Sequence, residues 1–539
     1  MKTDRQKLLY IFTLILLFMV HGLLLYFINR KMPYLIDSDM SSEMILSNIL
    51  SKKNSIITDS WYYSTELRVF NTHLVYSLFF KLTDNWHTVR LLSTAVLHVI
   101  LTLSTMYLCR KTGCKKYAPL VACTMLLALS REQFYIVLMG CYYIPHIAIS
   151  LLTIALCIAF SKSKGKKQIL IIASSALLAL MSGIGGLRQI VITYFPLLIC
   201  TLILETVSFI KNNFKPFKNP SGFKYLLISV INILFSGAGY LINNSILAKK
   251  YNFQQHGNIN FTKINSDSIF ELLSDILHTL GFMTGQINGL SVISNGICAL
   301  IVILLVYSVI HGIRDNVKPE YKLLTVFFLC NLTVFFMLYA FTDMVYTVRY
   351  NLPVIIFSFP LIASGLRETS FEKTPKYIKP AIGIFCVAII FIRGFCTMVE
   401  IRRSNRIGEL ETVAEFLSDS EYDNGYASFW NSNVITELTN GKEDMYTWFC
   451  SDPDGQNFNV TGSVNDMFRW LQKTEHVSVP PSGKVFTLYS HNEIEYCNWK
   501  SYLRDSDIIF QNGTFIIYGY ENYESMIEIL HQDSIQTAQ

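Results

Sequence analysis

From about residue 8 to residue 397 the chain repeats one feature, a predominantly apolar run long enough to cross the roughly 30 Å hydrocarbon core of a bilayer. A segment in that environment must satisfy its backbone polar groups within itself, so the runs read as helices. Composition agrees, with 51% of the 539 residues apolar and 16% charged, against about 25% charged in soluble domains. The expected fold class is therefore an all-α polytopic membrane protein. Eleven spans are expected, over about 8–29, 87–109, 117–137, 141–160, 168–184, 188–208, 223–245, 292–312, 322–341, 350–366 and 378–397. The third is the least clean, because Arg131 and Glu132 fall near its outer end. The first is too long for a signal-peptide core and lacks a small-residue cleavage site, so it is read as a retained span.

Short-loop charge sets the orientation. Lys2, Arg5 and Lys7 precede the first span, and Arg110, Lys111, Lys115 and Lys116 join the second to the third. The same side receives Lys162–Lys167, the lysines at 211, 215, 218 and 224, then Arg314, Lys318 and Lys322, and finally Arg367, Lys373, Lys376 and Lys379. That side is read as the cytoplasm. A cell-membrane protein follows, with a cytoplasmic N-terminus and, from the odd span count, an extracytoplasmic C-terminus. Arg402 and Arg403 break the rule and are discounted because a long domain follows them. The net charge of +6 does not indicate nucleic acid, since the basic residues lie largely in these loops. The twelve cysteines mostly lie in apolar runs and act as small hydrophobes; Cys450 and Cys497, in the polar tail, leave a disulfide open.

Two domains are expected. Residues 1–399 form the multi-span part, with external loops at 30–86 and 246–291, and residues 400–539 form a small external α/β domain. In the first loop Met44, Ile45, Ile49 and Leu50 read as the apolar stripe of a helix lying in the membrane interface. In the second, Ser268 and Glu271 read as a capping box before an amphipathic helix. In the tail, Glu409–Leu417 and Val464–Leu471 read as helices, and Val485–Tyr489 as a strand. Residues Ile508–Tyr518 read as a hairpin turning at Asn512-Gly513.

The chemistry concentrates just after the first span. Asp37, Asp39 and Glu43 fall within seven residues at its mouth, where ionisable groups are costly and mark a site by default. Glu66, Arg68, His73 and Arg90 follow in the same loop. In a helix starting near Asp39, Asp39 and Glu43 share a face. The plain alternative is that Asp39 only caps a helix whose stripe is Met40, Met44, Ile45 and Ile49. Cations on the outward side are Arg68, Arg90, Arg188 and Arg349. Arg188 follows Gly183-Ile-Gly-Gly-Leu at a span break, where glycine permits close backbone approach; the alternative is snorkelling to the membrane surface. Arg349 begins a span and has Asp343 as a possible partner, while Glu66 and Arg68 have each other.

A carboxylate can take a proton from an acceptor hydroxyl, and a guanidinium can stabilise a departing lipid phosphate. The layout resembles the GT-C superfamily of integral-membrane glycosyltransferases. The resemblance rests on Asp37-Ser-Asp39 after the first span, with Trp61-Tyr-Tyr-Ser-Thr-Glu-Leu-Arg and Trp86-His-Thr-Val-Arg continuing the loop. It covers the architecture of about residues 1–400. It implies a sugar on a polyprenyl phosphate as donor, inversion at the anomeric carbon, and Asp37 or Asp39 as the acidic residue. From the residues themselves, Arg188, Arg349, Arg68 and Arg90 are the phosphate-binding candidates, with Glu43, Glu66 and His73 in support. The acceptor is read as a cell-surface glycan or another extracytoplasmic molecule. No cofactor is expected: a lipid monophosphate gives a divalent metal less to chelate, and arginine can replace the ion. Rival readings are a transporter or flippase, which usually shows repeated halves, and a polysaccharide polymerase or ligase with key arginines in a late loop. No such repeat is seen, and loop 246–291 holds lysines but no arginine.

Overall fold

The computed structural model describes residues 2–65, 67–211, 220–253, 260–262, 266–285, 288–343, 348–368, 378–448, 467–496 and 503–536. The chain forms two compact units. One comprises Met1–Phe27, Thr94–Ile246 and Gly257–Arg403, and the other Ile28–Ser93, Leu247–His256 and Ser404–Gln539. The division does not follow the sequence break at residue 399: the acidic stretch after the first span belongs with the tail.

The first unit is helical. Among the described residues nine helices are long and apolar enough to cross a membrane, and a bent pair raises the number to ten. The last expected span is the helix Ile378–Arg402. The third expected span does not run straight: Lys115–Leu126 and Arg131–Met139 meet at 98°. Ser130 stops the first segment and caps the second, its Oγ accepting from Gln133 N–H, while Gln133 Oε1 accepts from Leu129 N–H at 2.8 Å. Leu129 and Gln133 are buried, so the non-helical backbone is shielded from lipid by protein. Helices Lys166–Ile184 and Pro220–Ser245 approach backbone to backbone. A Cβ on Gly183 would strike the Ser236 carbonyl, and one on Gly239 the Leu180 carbonyl, which is how small residues let helices associate without a hydrophobic driving force.

The second unit is α/β. Its sheet has the order β3-β2-β5-β7-β6, from β2 (Asn424–Ala427), β3 (Asp444–Thr447), β5 (Val485–Ser490), β6 (Ile508–Gln511) and β7 (Phe515–Tyr520). Strand β2 runs parallel to β3 and β5, and β7 is antiparallel to β5 and β6. The Ile508 hairpin forms as expected, because Asn512 Oδ1 accepts from the N–H groups of Thr514 and Phe515 and closes the turn. The helix expected over Glu409–Leu417 is present as Leu410–Ser418. The expected helix over Val464–Leu471 is not found in its described part: Met467 bridges to Trp448, and Leu471 takes a φ of 48°. Strand β1 (Trp61–Tyr62) pairs with β4 (Gln472–Lys473), joining the acidic loop to the tail.

The helix Ser38–Lys53 corrects the interfacial reading. Met40, Met44 and Leu50 are fully buried, packed on helices His73–Phe80 and Phe429–Leu438. The stripe therefore stabilises this unit rather than lying on lipid. In the first unit the amphipathic helix starts at Ser266, two residues before the expected cap, and ends at Thr279. The nine described free cysteines are buried; Cys450 and Cys497 lie outside the described residues.

Candidate active site

The acid helix starts at Ser38 because Asp37 caps it. Asp37 has extended backbone, and its Oδ1 accepts from Met40 N–H at 2.9 Å. The cap is thus Asp37, and Asp39 sits in the first turn, where a carboxylate favours the positive end of the helix dipole. The other Asp37 oxygen lies 2.9 Å from Arg406 Nη2. Arg406 is held by its own backbone, its N–H donating to the Tyr34 carbonyl at 2.8 Å. Asp37 is therefore oriented from two sides.

Glu43 lies one turn beyond Asp39. Its Oε2 accepts from Thr72 Oγ1 at 2.9 Å and lies 3.7 Å from His73 Nδ1. The Val69 carbonyl, 3.2 Å from His73 Nε2, can only accept, so Nε2 carries a proton and Nδ1 faces the carboxylate. Burial works against ionisation of Glu43, but His73, the Arg68 guanidinium and the Thr72 hydroxyl outweigh it and hold the carboxyl below its ordinary value. His73 and Arg68, the latter expected to bind phosphate, are thus electrostatic neighbours of Glu43. Glu66 lies outside the described residues.

Arg90 departs from expectation. It is fully buried. Nε and Nη2 donate to the two Glu437 oxygens, each at 2.6 Å, and Nη2 also donates to the Met40 carbonyl at 2.9 Å. A guanidinium held this way is not presented to an outside phosphate. It ties the first turn of the acid helix to helix Phe429–Leu438, so its job here is positional.

In the span-rich unit Arg188 and Arg349 come together. The Arg188 guanidinium lies over the Tyr143 ring at 5.2 Å, a cation–π distance. Tyr143 and Arg188 are also electrostatic neighbours of Arg349, which lies 5.6 Å from its own neighbouring ring, Tyr350. Local backbone places these groups. Cys141 adopts a left-handed φ of 59°, strain of order 1–2 kcal/mol for a residue with a side chain, and such strain gathers at functional sites. A π-helical stretch covers Ile190–Tyr194, a feature also frequent at functional sites. Gln189, beside Arg188, donates to the His146 carbonyl at 2.7 Å and accepts from Thr193 Oγ1 at 2.8 Å. Arg188 therefore stands on a fixed buried network. Asp343 hydrogen-bonds Asn260 through both carboxylate oxygens. A small apolar depression is lined by Leu272, Ile276, Phe335, Phe336, Tyr350 and Val354.

A metal-like grouping lies elsewhere in the tail. Asp444, Glu475 and His476 offer ligand atoms within 4.8 Å of one another. Lys473 Nζ already lies 2.7 Å from Asp444 and 3.6 Å from Glu475, so an ammonium neutralises the cluster.

Arg406 and Glu437 were not anticipated. Both are hundreds of residues from their partners, and no local pattern marks them.

Membrane-length helices and a small α/β unit that includes the acidic stretch after the first span make up the described fold. No sequence-family model matches the chain, and no curated protein sequence matches it. The fold is that of ArnT from Cupriavidus metallidurans. The chain is similar to the structure of that protein bound to undecaprenyl phosphate, with a TM-score of 0.56 at 10% identity over 94% of this chain and 97% of that one. It is similar to the apo structure with a TM-score of 0.55 at the same identity and coverage.

Proposed function

We propose that the protein is an inverting membrane glycosyltransferase that moves a sugar from a polyprenyl-phosphate donor to an extracytoplasmic acceptor. The observation that carries this reading is the convergence of Arg188 and Arg349, distant in sequence, on Tyr143. A phosphate monoester accepts charge-assisted hydrogen bonds from guanidiniums. The fold, shared with a protein crystallised with undecaprenyl phosphate, supports the same donor class.

The acid pair Asp37 and Asp39 supplies the base. An acceptor hydroxyl attacks the anomeric carbon, and its proton passes to a carboxylate, the role proposed for Asp37 or Asp39. A carbon–oxygen bond to the acceptor forms as the bond to phosphate breaks, and the polyprenyl phosphate leaves with the electron pair. Charge grows on that phosphate as the bond lengthens, so fixed guanidiniums favour the transition state over the ground state. Attack opposite the leaving group inverts the anomeric centre. The arginines take the electrostatic role a divalent ion would otherwise fill.

The loop-charge bias assigns the acid stretch and the ends of the helices carrying Arg188 and Arg349 to outward connections. Cysteines introduced at Lys164 and Glu521 test this: an impermeant thiol reagent applied outside the cell is expected to label Glu521→Cys alone. Activity is tested with the purified chain and radiolabelled sugar on polyprenyl phosphate. Transfer to a cell-envelope glycan fraction, undiminished by a metal chelator, is expected. Absence of donor consumption with every envelope fraction would overturn the assignment.

A further inference from the structure

The amphipathic helix Ser266–Thr279 touches both of the segments that carry the paired arginines. Its buried Leu272 joins a cluster with Ile192, Phe335 and Tyr339, and Ile276 and Tyr350 pack against that cluster. Ile192 belongs to the π-helical stretch that follows Arg188, and Tyr350 follows Arg349 in the short helix Val348–Asn351. Such packing is non-directional. One directional contact adds to it: Asn351 Nδ2 donates to Thr279 Oγ1 at 3.1 Å, and both residues are buried.

The helix end that presents Thr279 is itself fixed. Gly281 takes a left-handed φ of 100°. Its N–H donates to the His278 carbonyl at 2.9 Å, and Phe282 N–H donates to the Leu277 carbonyl at 2.9 Å, the paired bonds of a glycine C-terminal cap. The span Gly289–Gly312 grips this turn. Ser294 Oγ donates to the Gly281 carbonyl, and the Asn295 amide accepts from Met283 N–H at 2.7 Å and donates to its carbonyl at 3.0 Å. A Cβ on Gly281 would lie 2.7 Å from Arg393 Nε, and Arg393 is in turn 3.0 Å from Glu400. Thr279 is therefore a fixed point against which the Arg349 segment is set.

Asn351 and Arg349 are two residues apart in a helix of about three residues per turn, so they face about two-thirds of a turn apart. Asn351 can thus be buried against Thr279 while Arg349 is exposed. A helix of four residues is too short to hold itself. The Thr279 bond fixes its rotation, and with it the direction of the Arg349 side chain.

We propose that Thr279 and Asn351 are positioning residues for Arg349, aiming its guanidinium at the phosphate of the donor. This inference rests on the glycosyltransferase reading, which gives Arg349 that phosphate.

Binding of farnesyl phosphate, a short polyprenyl phosphate, to the full-length protein in nanodiscs is measured by calorimetry. Thr279→Val keeps the side-chain shape without the hydroxyl, and affinity is expected to fall about two- to tenfold, the scale of one hydrogen bond. Thr279→Ser keeps the hydroxyl and is expected to bind like wild type. Adding Thr279→Val to Arg349→Ala is expected to change affinity no further, because a residue acting through Arg349 has nothing left to act on. Thr279→Val leaves the buried Asn351 amide without its Thr279 partner and is expected to lower the melting temperature. Adding Asn351→Leu removes the stranded group, so the double variant is expected to regain melting temperature but not affinity. A merely structural contact would recover both. Wild-type affinity in Thr279→Val, a full further loss in the Arg349→Ala background, or affinity regained by the double variant would each overturn the positioning role and leave the transferase reading in place. Failure of the wild type itself to bind farnesyl phosphate would overturn the phosphate role of Arg349, and the positioning role with it.

Discussion

Around the acid helix, charges meet their opposites: Arg90 with Glu437 and Arg406 with Asp37. In the span-rich unit Arg188 and Arg349 instead gather on a shared tyrosine, each within electrostatic reach of the other. The first arrangement spends its charges on architecture, because an ionised group taken out of water must meet its opposite. The second brings two guanidiniums near one aromatic ring, Tyr143. The same residue type thus does two jobs. Exposure separates them, with Arg90 wholly buried, Arg188 partly so and Arg349 exposed.

The largest expected effect strikes the matched region. Arg90→Met leaves Glu437 charged and buried, which costs about 3–5 kcal/mol when one partner of such a pair is removed. Thermal unfolding in detergent is expected to show a large fall in melting temperature, partly restored by adding Glu437→Met. An unchanged melting temperature would erase the contrast between the two regions.

Arg188→Ala and Arg349→Ala are expected to behave in the opposite way. Each should leave the melting temperature near wild type while lowering sugar transfer on the order of 10²–10³, the effect of losing one preorganised electrostatic contact. If either variant instead unfolds as readily as Arg90→Met, the cluster is architectural too.

Two carboxylates sharpen the comparison with pH. Glu443 is wholly buried, and burial, with Asp423 adding to it, pushes its pKa up to about 7 against the nearby Lys442. Between the ordinary carboxylate value and about 7 the folded state holds more protons than the unfolded one, so this group adds stability as pH falls through that window. The difference in stability between wild type and Glu443→Gln, followed by denaturant titration, should change across that window and level off on either side. Glu43 has the opposite sign. Its folded pKa is depressed, so its contribution is present above the ordinary carboxylate value and is lost as pH falls below it. Glu43→Gln should remove that acid-side loss and keep most transfer activity, the smallest change expected. A large activity loss in Glu43→Gln would move Glu43 into the chemistry.

The sequence announces its helices through long apolar runs, which is why every expected span meets a helix or the bent pair. It announces the acid helix and the Asn512 turn because their signals are local. It conceals what depends on distant pairing. The partners Arg406 and Glu437 lie beyond any local pattern, and Arg90 resembles Arg188 until burial distinguishes them. The stripe Met44, Ile45, Ile49 and Leu50 is apolar whether it meets lipid or protein, and only the packing shows that Met44, Ile45 and Leu50 are buried and Ile49 half-buried. Short strands such as β2 and β3 hold too few residues for a period-two pattern to stand out.

The central claim is that the acid pair supplies the base. Its most direct test is the turnover of a polyprenyl-phosphate sugar donor by purified Asp37→Asn and Asp39→Asn, with the melting temperature of each measured alongside. Asn at position 37 still caps the helix but gives up the charge pair with Arg406, so the melting temperature is the control for a loss of fold. At least one of the two variants is expected to retain its melting temperature and lose on the order of 10²–10⁴ in rate. Near-normal turnover in both would contradict the account.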